Sequence, residues 1–317
     1  MNFKYLISSE LQYDKLICND AGPQYAASMR WHWETIGPDT NLISNMTYII
    51  DNRLSINECE IAGRLITQYE NKPFLIKVVD PYFENINHQF YIWMSKMLEK
   101  KNVFLLSVYE PKEIIRFLRN LHPNKLIYIP YPYDPGKELN LDNLKGRKNK
   151  VIISGSINKD VYPLRTAIWK NSRRSISRFF FQVLKHPGYP DIHKREFEHN
   201  LIGNSYIAFL SNFKAMFLCG TRVKIELLKY HECAYAGCLP IGEAPDCFPT
   251  EIQNIFQPVN VRFPFLQTLI FFLRWNSTSH RRIVTQYRSY LRRHRNPEYL
   301  NNLLKEKLNL ETSFYTS

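Results

Sequence analysis

The feature that most constrains this chain is a repeated pattern of short apolar runs, each ending near a polar or small residue and each followed by a helical stretch. Four runs lie in the first half: 46–51 (MTYIID), 73–81 (PFLIKVVDP), 102–110 (NVFLLSVYE) and 125–132 (KLIYIPYP). Helical patterns over 56–69, 87–100 and 111–120 separate them, the last opening on Pro111, where a missing N–H costs nothing. Four more runs follow at 150–156, 177–188, 214–220 and 238–243, with helical patterns over 162–174, 196–213 and 224–237. A strand that is apolar on both faces must be covered on both faces, so such a series predicts a parallel sheet clad by helices. Two series predict an α/β protein of two Rossmann-like domains facing across a cleft, with ligands at the carboxyl ends of the strands.

A length of 317 residues suits two domains of ordinary size. The predicted layout is a first domain over 1–136, a linker over 137–149, a second domain over 150–275 and a helical tail over 276–317. The linker is read from a polar stretch broken by Pro135, Gly136 and Gly146. Between Arg274 and Arg295 the tail holds seven arginines and no acid, with a thin apolar face of Ile283, Tyr287 and Leu291. It is expected to be helical and to pack back across the interface.

The net charge of +13 points to polyanionic partners: nucleic acid, acidic lipid headgroups or nucleotide diphosphates. Basic and apolar surface side by side, at 274–295 and 263–273, suits an anionic membrane face. The six cysteines (Cys18, Cys59, Cys219, Cys233, Cys238 and Cys247) form no C-x-x-C pair and have no zinc spacing. They read as reduced, buried thiols. The opening residues lack the apolar core of a signal peptide, and the longest apolar stretch, Phe263 to Leu273, has 11 residues. A membrane span needs about 20. A cytoplasmic protein, peripheral on a membrane at most, is expected. With no D-x-D triplet to hold a metal against a diphosphate, no metal or other cofactor is expected.

The most informative segment is LLKYHECAYAGCLPIGEAPD, Leu227 to Asp246. It reads as a helix carrying Glu232, closed by Gly237, then a short strand Leu239-Pro240-Ile241. A carboxylate there can accept ribose hydroxyls, and the early N–H groups of the helix can hold a phosphate. The stretch 232–241 (ECAYAGCLPI) resembles the donor-site signature of two-domain glycosyltransferases of the GT-B class, group 1-like or exostosin-like, roughly Glu-Ala-x-Ala-x-Gly-x-x-Pro-Ile. SGSINKDVYPLR (154–165) and LKHPGY (184–189) look like the first strand–loop–helix and the next strand-end turn of that donor domain. The likeness is good over 151–249, weaker over 47–132 and negligible before residue 40. It implies that Glu232 binds the ribose of a nucleotide-diphosphate sugar, and that a sugar passes to an acceptor hydroxyl on a glycan or lipid-linked glycan. Many retaining members carry a second Glu eight residues earlier. Here that position is Lys224, and Glu226 is offset by two and faces elsewhere on the helix.

The candidate binding residues follow. Gly155, between two serines at a strand end, allows close approach to a diphosphate. Lys159 and Arg165 flank that loop and can neutralise a leaving diphosphate. His186 and Tyr189 end a strand and can bond or stack on a base or sugar. Arg222 and Lys224 precede the Glu232 helix and can bind phosphate with its N-terminus. The structural alternative for Glu232 is an ion pair with Lys229, three residues earlier. No catalytic base is assigned; Asp20, His32 and Asp80 are candidates, with Asp51 and Glu110 beside them. Two other functions compete. A nucleic-acid-binding protein would use the arginines between Arg262 and Arg295, although no nucleic-acid-binding module is visible. A non-catalytic scaffold on the same fold would bind nucleotide without transfer.

Overall fold

The computed structural model describes residues 2–11, 13, 22–43, 45–78, 88–110, 123–174, 176–187, 198–221 and 224–313. The chain divides into two compact units, one formed by 1–132 with 295–317 and the other by 133–294. Each is a Rossmann-like unit built on an all-parallel sheet.

The first unit has six strands: β1 (Asn2–Ile7), β2 (His32–Thr35), β3 (Met46–Ile50), β4 (Phe74–Val78), β5 (Val103–Ser107) and β6 (Leu126–Tyr128). Their order is β2-β1-β3-β4-β5-β6. The four predicted runs become β3 to β6. The first two strands were not anticipated, for different reasons. β1 buries Tyr5, Leu6 and Ile7, but Asn2 and Lys4 interrupt its apolar pattern. β2 is an edge strand (HWET), largely exposed, so it carries no apolar signature. Around the sheet lie α1 (Gly22–Met29), α2 (Ile56–Gln68) and α3 (His88–Met97). α2 opens on a capping box, in which Ser55 accepts from the Glu58 N–H and Glu58 accepts from the Ser55 N–H. The helix predicted over 111–120 lies outside the described residues.

The second unit has β7 (Lys148–Ser154), β8 (Phe181–Leu184), β9 (Phe213–Leu218) and β10 (Leu239–Gly242) in the order β10-β9-β7-β8. Its helices are α4 (Pro163–Ser172), α5 (Gly203–Leu210), α6 (Leu228–Ala236), α7 (Thr250–Gln253), α8 (Pro264–Leu273) and α9 (Ser277–His294). Alternate residues face opposite cores: Ile152, Met216 and Leu218 one way, Val151, Ile153, Ala215 and Phe217 the other. Pro240 falls on the edge strand β10, where a missing donor is tolerated. The chain steps outward from β7 to β8, then crosses back to β9 on the other side of β7. The carboxyl ends of β7 and β9 therefore flank a topological switch point, where a doubly wound sheet opens a crevice.

Several boundaries differ from expectation. The strand expected over 177–188 spans only Phe181–Leu184, because 177–179 form a single 3-10 turn. The helix expected over 196–213 is Gly203–Leu210. The helix expected over 224–237 begins at Leu228. There the Lys224 N–H donates to Thr221 O and Lys224 O accepts from the Asp246 N–H, both at 3.1 Å, which closes a turn rather than starting a helix. α6 ends as predicted at Gly237, at φ +65, where a Cβ would stand 2.4 Å from Leu141 Cδ2.

The segment expected as a linker belongs to the second unit. Leu141 and Leu144 are buried, and Arg147 Nη1 donates to Gly237 O at 2.7 Å. The tail after 276, expected to be helical, is formed by two helices, α9 and α10 (Pro297–Ser313). Pro297 disfavours helical backbone at Asn296 and then starts α10. α9 stays with the second unit and buries Val284, Tyr287 and Leu291. α10 belongs to the first, burying Leu300, Leu304 and Leu308 and exchanging hydrogen bonds through Asn301 with Trp31 and the Met29 carbonyl.

Candidate functional site

At the carboxyl end of β7 the chain turns through Gly155 at φ +100. A Cβ at this residue would lie 2.9 Å from Arg165 Nη1 and 3.5 Å from Lys229 Cε, so glycine serves both the backbone and two cationic side chains. Arg165, on the first turn of α4, is 3% exposed. Its Nη1 donates to Ser156 O at 3.0 Å, and its guanidinium lies 4.2 Å from the Tyr162 ring centroid. Its Nε is buried without a hydrogen-bond partner, and it makes no ion pair among the described residues. A buried cation without an acid carries a desolvation cost of several kcal/mol.

Lys229 stands on the first turn of α6. Its Nζ donates to Tyr206 Oη at 3.0 Å and faces Glu232 Oε2 at 2.9 Å. Tyr206 Oη is also 2.5 Å from Ser154 Oγ at the end of β7. Burial opposes the charge on Lys229, but Glu232 and Tyr206 outweigh it and hold the ammonium above its ordinary range. Glu232 thus has the ion-pair partner that the structural alternative required. Its side chain is 19% exposed, while Oε2, the oxygen that faces Lys229, is itself buried.

His186 follows the end of β8. Burial, then the positive charges of Lys229, His199 and Arg165, push its imidazole down to about 4, which makes it neutral at physiological pH. The helices α4 and α6 both start at this end of the sheet, and neither N-cap, Tyr162 nor Leu227, bonds its helix through a side chain. Uncapped N–H groups aimed at a switch point, beside a buried guanidinium, form a site for an anion.

Of the predicted binding residues, the structure brings together Gly155, Arg165, His186 and Glu232. Lys159 lies exposed in the turn between β7 and α4. Lys224 is exposed, at φ +50 in the turn before α6. Tyr189 and Arg222 lie outside the described residues. Glu226 precedes α6 instead of lying on it, so the helical offset expected of it does not apply. It is buried against His231, with Nε2 and Oε1 2.8 Å apart. The sequence marks Lys229 only as a pairing partner for Glu232 and gives no signal for Tyr206, since a tyrosine in the middle of a helix carries none.

In the first unit, Asp20 and Asp80 lie outside the described residues. His32 is exposed at the start of β2, the end of the sheet opposite the one where ligands bind. Asp51 is fully buried at the end of β3 and accepts from Tyr5 Oη and the N–H groups of Gly22 and Arg53 at 2.9–3.0 Å, a satisfied structural carboxylate. Glu110 is half-buried beyond the end of β5.

No family model matches this chain, and no curated protein does. Solved structures match over almost its full length. The N-terminal domain of Candida albicans trehalose-6-phosphate phosphatase aligns at 9% identity, covering 97% of this chain and 96% of that one, with a TM-score of 0.61. Anabaena Alr3699/HepE in complex with UDP and glucose aligns at 8% identity over 98% and 99% of the two chains, with a TM-score of 0.53. The same protein in complex with UDP-glucose aligns at 10% identity over 98% and 99%, with a TM-score of 0.50. At such identities the likeness shows a shared two-unit α/β fold.

Proposed function

We propose that this chain is a glycosyltransferase whose second unit binds the nucleotide diphosphate of a sugar donor at the carboxyl ends of β7 and β9. The observation that carries the reading is Arg165: a buried guanidinium with a free Nε and no acid partner, beside Gly155 and two uncapped helix N-termini. A diphosphate is the kind of group such an arrangement lacks. The donor-site resemblance of 232–241 and the likeness in fold to a protein solved with UDP-glucose support it.

In this reading Arg165 and the α4 and α6 N-termini hold the diphosphate, and Lys229 lends its charge. Glu232 accepts a ribose hydroxyl with the carboxylate that also faces Lys229, and neutral His186 hydrogen-bonds the sugar or base. The bond from the sugar C1 to the diphosphate oxygen breaks, and the oxygen keeps the electron pair. An acceptor hydroxyl, on a glycan or lipid-linked glycan, attacks C1 and passes its proton to the departing diphosphate oxygen, directly or through water. The protein's work is positioning and stabilising the leaving charge, with no metal or other cofactor. Calorimetric titration with UDP, GDP, ADP and CMP, followed by the matching sugar nucleotides with product detection, tests this. Absence of binding to all of them rejects the donor site. Binding with neither transfer nor hydrolysis leaves a nucleotide-binding scaffold.

Three of the eight arginines that the nucleic-acid alternative would use are engaged within the protein. Arg288 bonds the carbonyls of Leu139, Ala234 and Tyr235, Arg292 pairs with Glu138, and Arg295 is buried.

A further inference from the structure

α8 has a composition that its surroundings do not explain. Eight of its ten residues, PFLQTLIFFL, are apolar, yet only Pro264 and Thr268 are buried. Leu266, Ile270 and Leu273 are 48%, 41% and 76% exposed, and Phe263 just before the helix is 56% exposed. Spaced three and four apart, these residues form one stripe along the outer face. Asn171, at the end of α4, donates to Val261 O at 2.5 Å, which ties the turn after α4 to the start of α8. That turn exposes Ile176 and Phe179, at 55% and 64%.

The charge around this apolar surface has one sign. Neither 161–190 nor 252–297 contains an aspartate or glutamate. Arg262 and Arg274 bracket α8, and Arg173, Arg174 and Arg178 flank Ile176 and Phe179, all five exposed. None of the five makes an ion pair among the described residues. Among the described residues no helix is long and apolar enough to cross a membrane.

We propose that α8, together with Arg173, Arg174, Ile176, Arg178 and Phe179 after α4, forms a docking surface for an anionic lipid bilayer. An apolar stripe one helix wide, bordered by arginines, buries its Phe, Leu and Ile side chains at the headgroup boundary while the guanidiniums meet acidic headgroups. A protein partner would have to match an acid-free rim around an apolar helix; a bilayer supplies both parts at any orientation. The contact therefore belongs to α8, whereas the Arg-rich helix α9 directs Arg288 and Arg292 into its own unit. The proposal is independent of the donor-site reading, since the site lies at the N-terminal end of α4 and the turn at its C-terminal end, about 15 Å away by helix rise.

The test is flotation of the full chain with vesicles of phosphatidylcholine alone and of phosphatidylcholine mixed equally with phosphatidylglycerol. The protein is expected to float with the mixed vesicles, to leave them in high salt, and to ignore the neutral ones. Leu266→Glu with Ile270→Glu should cut the bound fraction at least tenfold, and Arg262→Glu with Arg274→Glu should remove the preference for acidic lipid, with thermal unfolding unchanged in both. Because these side chains are exposed, folding should survive. Equal flotation of wild type and the Leu266/Ile270 variant overturns the proposal. So does self-association that the same variant abolishes in a chain that never floats, which would make the stripe a contact between copies.

Discussion

At the residue scale, the second unit is marked by charges buried with and without partners. Arg165 has none that is acidic, so Arg165→Met should behave unlike an ordinary core substitution. Its stem length is kept and an uncompensated charge is removed, so the ligand-free protein should unfold at an equal or higher temperature. The stabilisation by nucleotide should fall by about 1.5–3 kcal/mol per charged hydrogen bond lost. Thermal unfolding with and without UDP measures both, and a destabilised apo protein with an intact nucleotide response would show that Arg165 serves only its loop. Glu232→Gln separates the two roles of that carboxylate. Unchanged nucleotide affinity with lowered stability would leave the Lys229 ion pair as its whole function. His280 supplies a pH test. Its Nδ1 accepts from Trp275 Nε1–H at 3.0 Å and its Nε2–H donates to Gly237 O at 2.9 Å, an arrangement only the neutral ring satisfies. Burial, despite that bond to Gly237, pushes it down to about 4. A histidine depressed in the folded state binds its proton first in the unfolded chain. The stability it protects is therefore present above about 6.5 and is lost as pH falls toward 4, by roughly 3 kcal/mol. Urea unfolding across that range should show a slope that His280→Gln flattens; parallel slopes would exclude His280 as the source.

At the scale of elements, α6 shows how far local pattern carries and where it stops. Its end was legible, because Gly237 must take a left-handed φ and no other residue nearby can do so without strain. Gly237→Ala should cost about 1–3 kcal/mol from backbone conformation alone, with more from the contact with Leu141. An unchanged urea midpoint would mean the turn relaxes freely. The start of α6 was not legible. Ile225 and Glu226 look helical in sequence, but Glu226 is drawn into a buried pair with His231, and the Lys224 carbonyl accepts from the N–H of Asp246, more than twenty residues on. The four-strand order at the switch point is likewise invisible locally, although the strands themselves were plain because each is apolar on both faces.

At the scale of the whole molecule, the final helix belongs to the first unit although the chain has spent 162 residues in the second. Asn301 bonds Trp31 and the Met29 carbonyl, and Leu300, Leu304 and Leu308 are fully buried. Removing 297–317 should therefore loosen the first unit. Hydrogen exchange should rise in β1, α1 and β6 while β7 to β10 keep their protection. Uniform exchange through both units would show that they unfold together, and no change at all would show that α10 contributes nothing.

The sequence by itself determined that this chain makes parallel sheets: β3 to β10 were visible as runs apolar on both faces, and a period of that kind has few alternatives. It also marked Gly155 and His186 by their places at strand ends, Arg165 as a charge flanking the Gly155 loop, and Glu232 chiefly through the donor-site resemblance. Only the tertiary structure decided that Lys229 and Tyr206 join them, that Asp51 is a satisfied structural acid, that Arg288 is spent on carbonyls of its own unit, and that α8 is left with an uncovered apolar stripe. Each of these depends on which surfaces meet after distant segments pack, and periodicity along the chain, which reports one element at a time, holds no record of that.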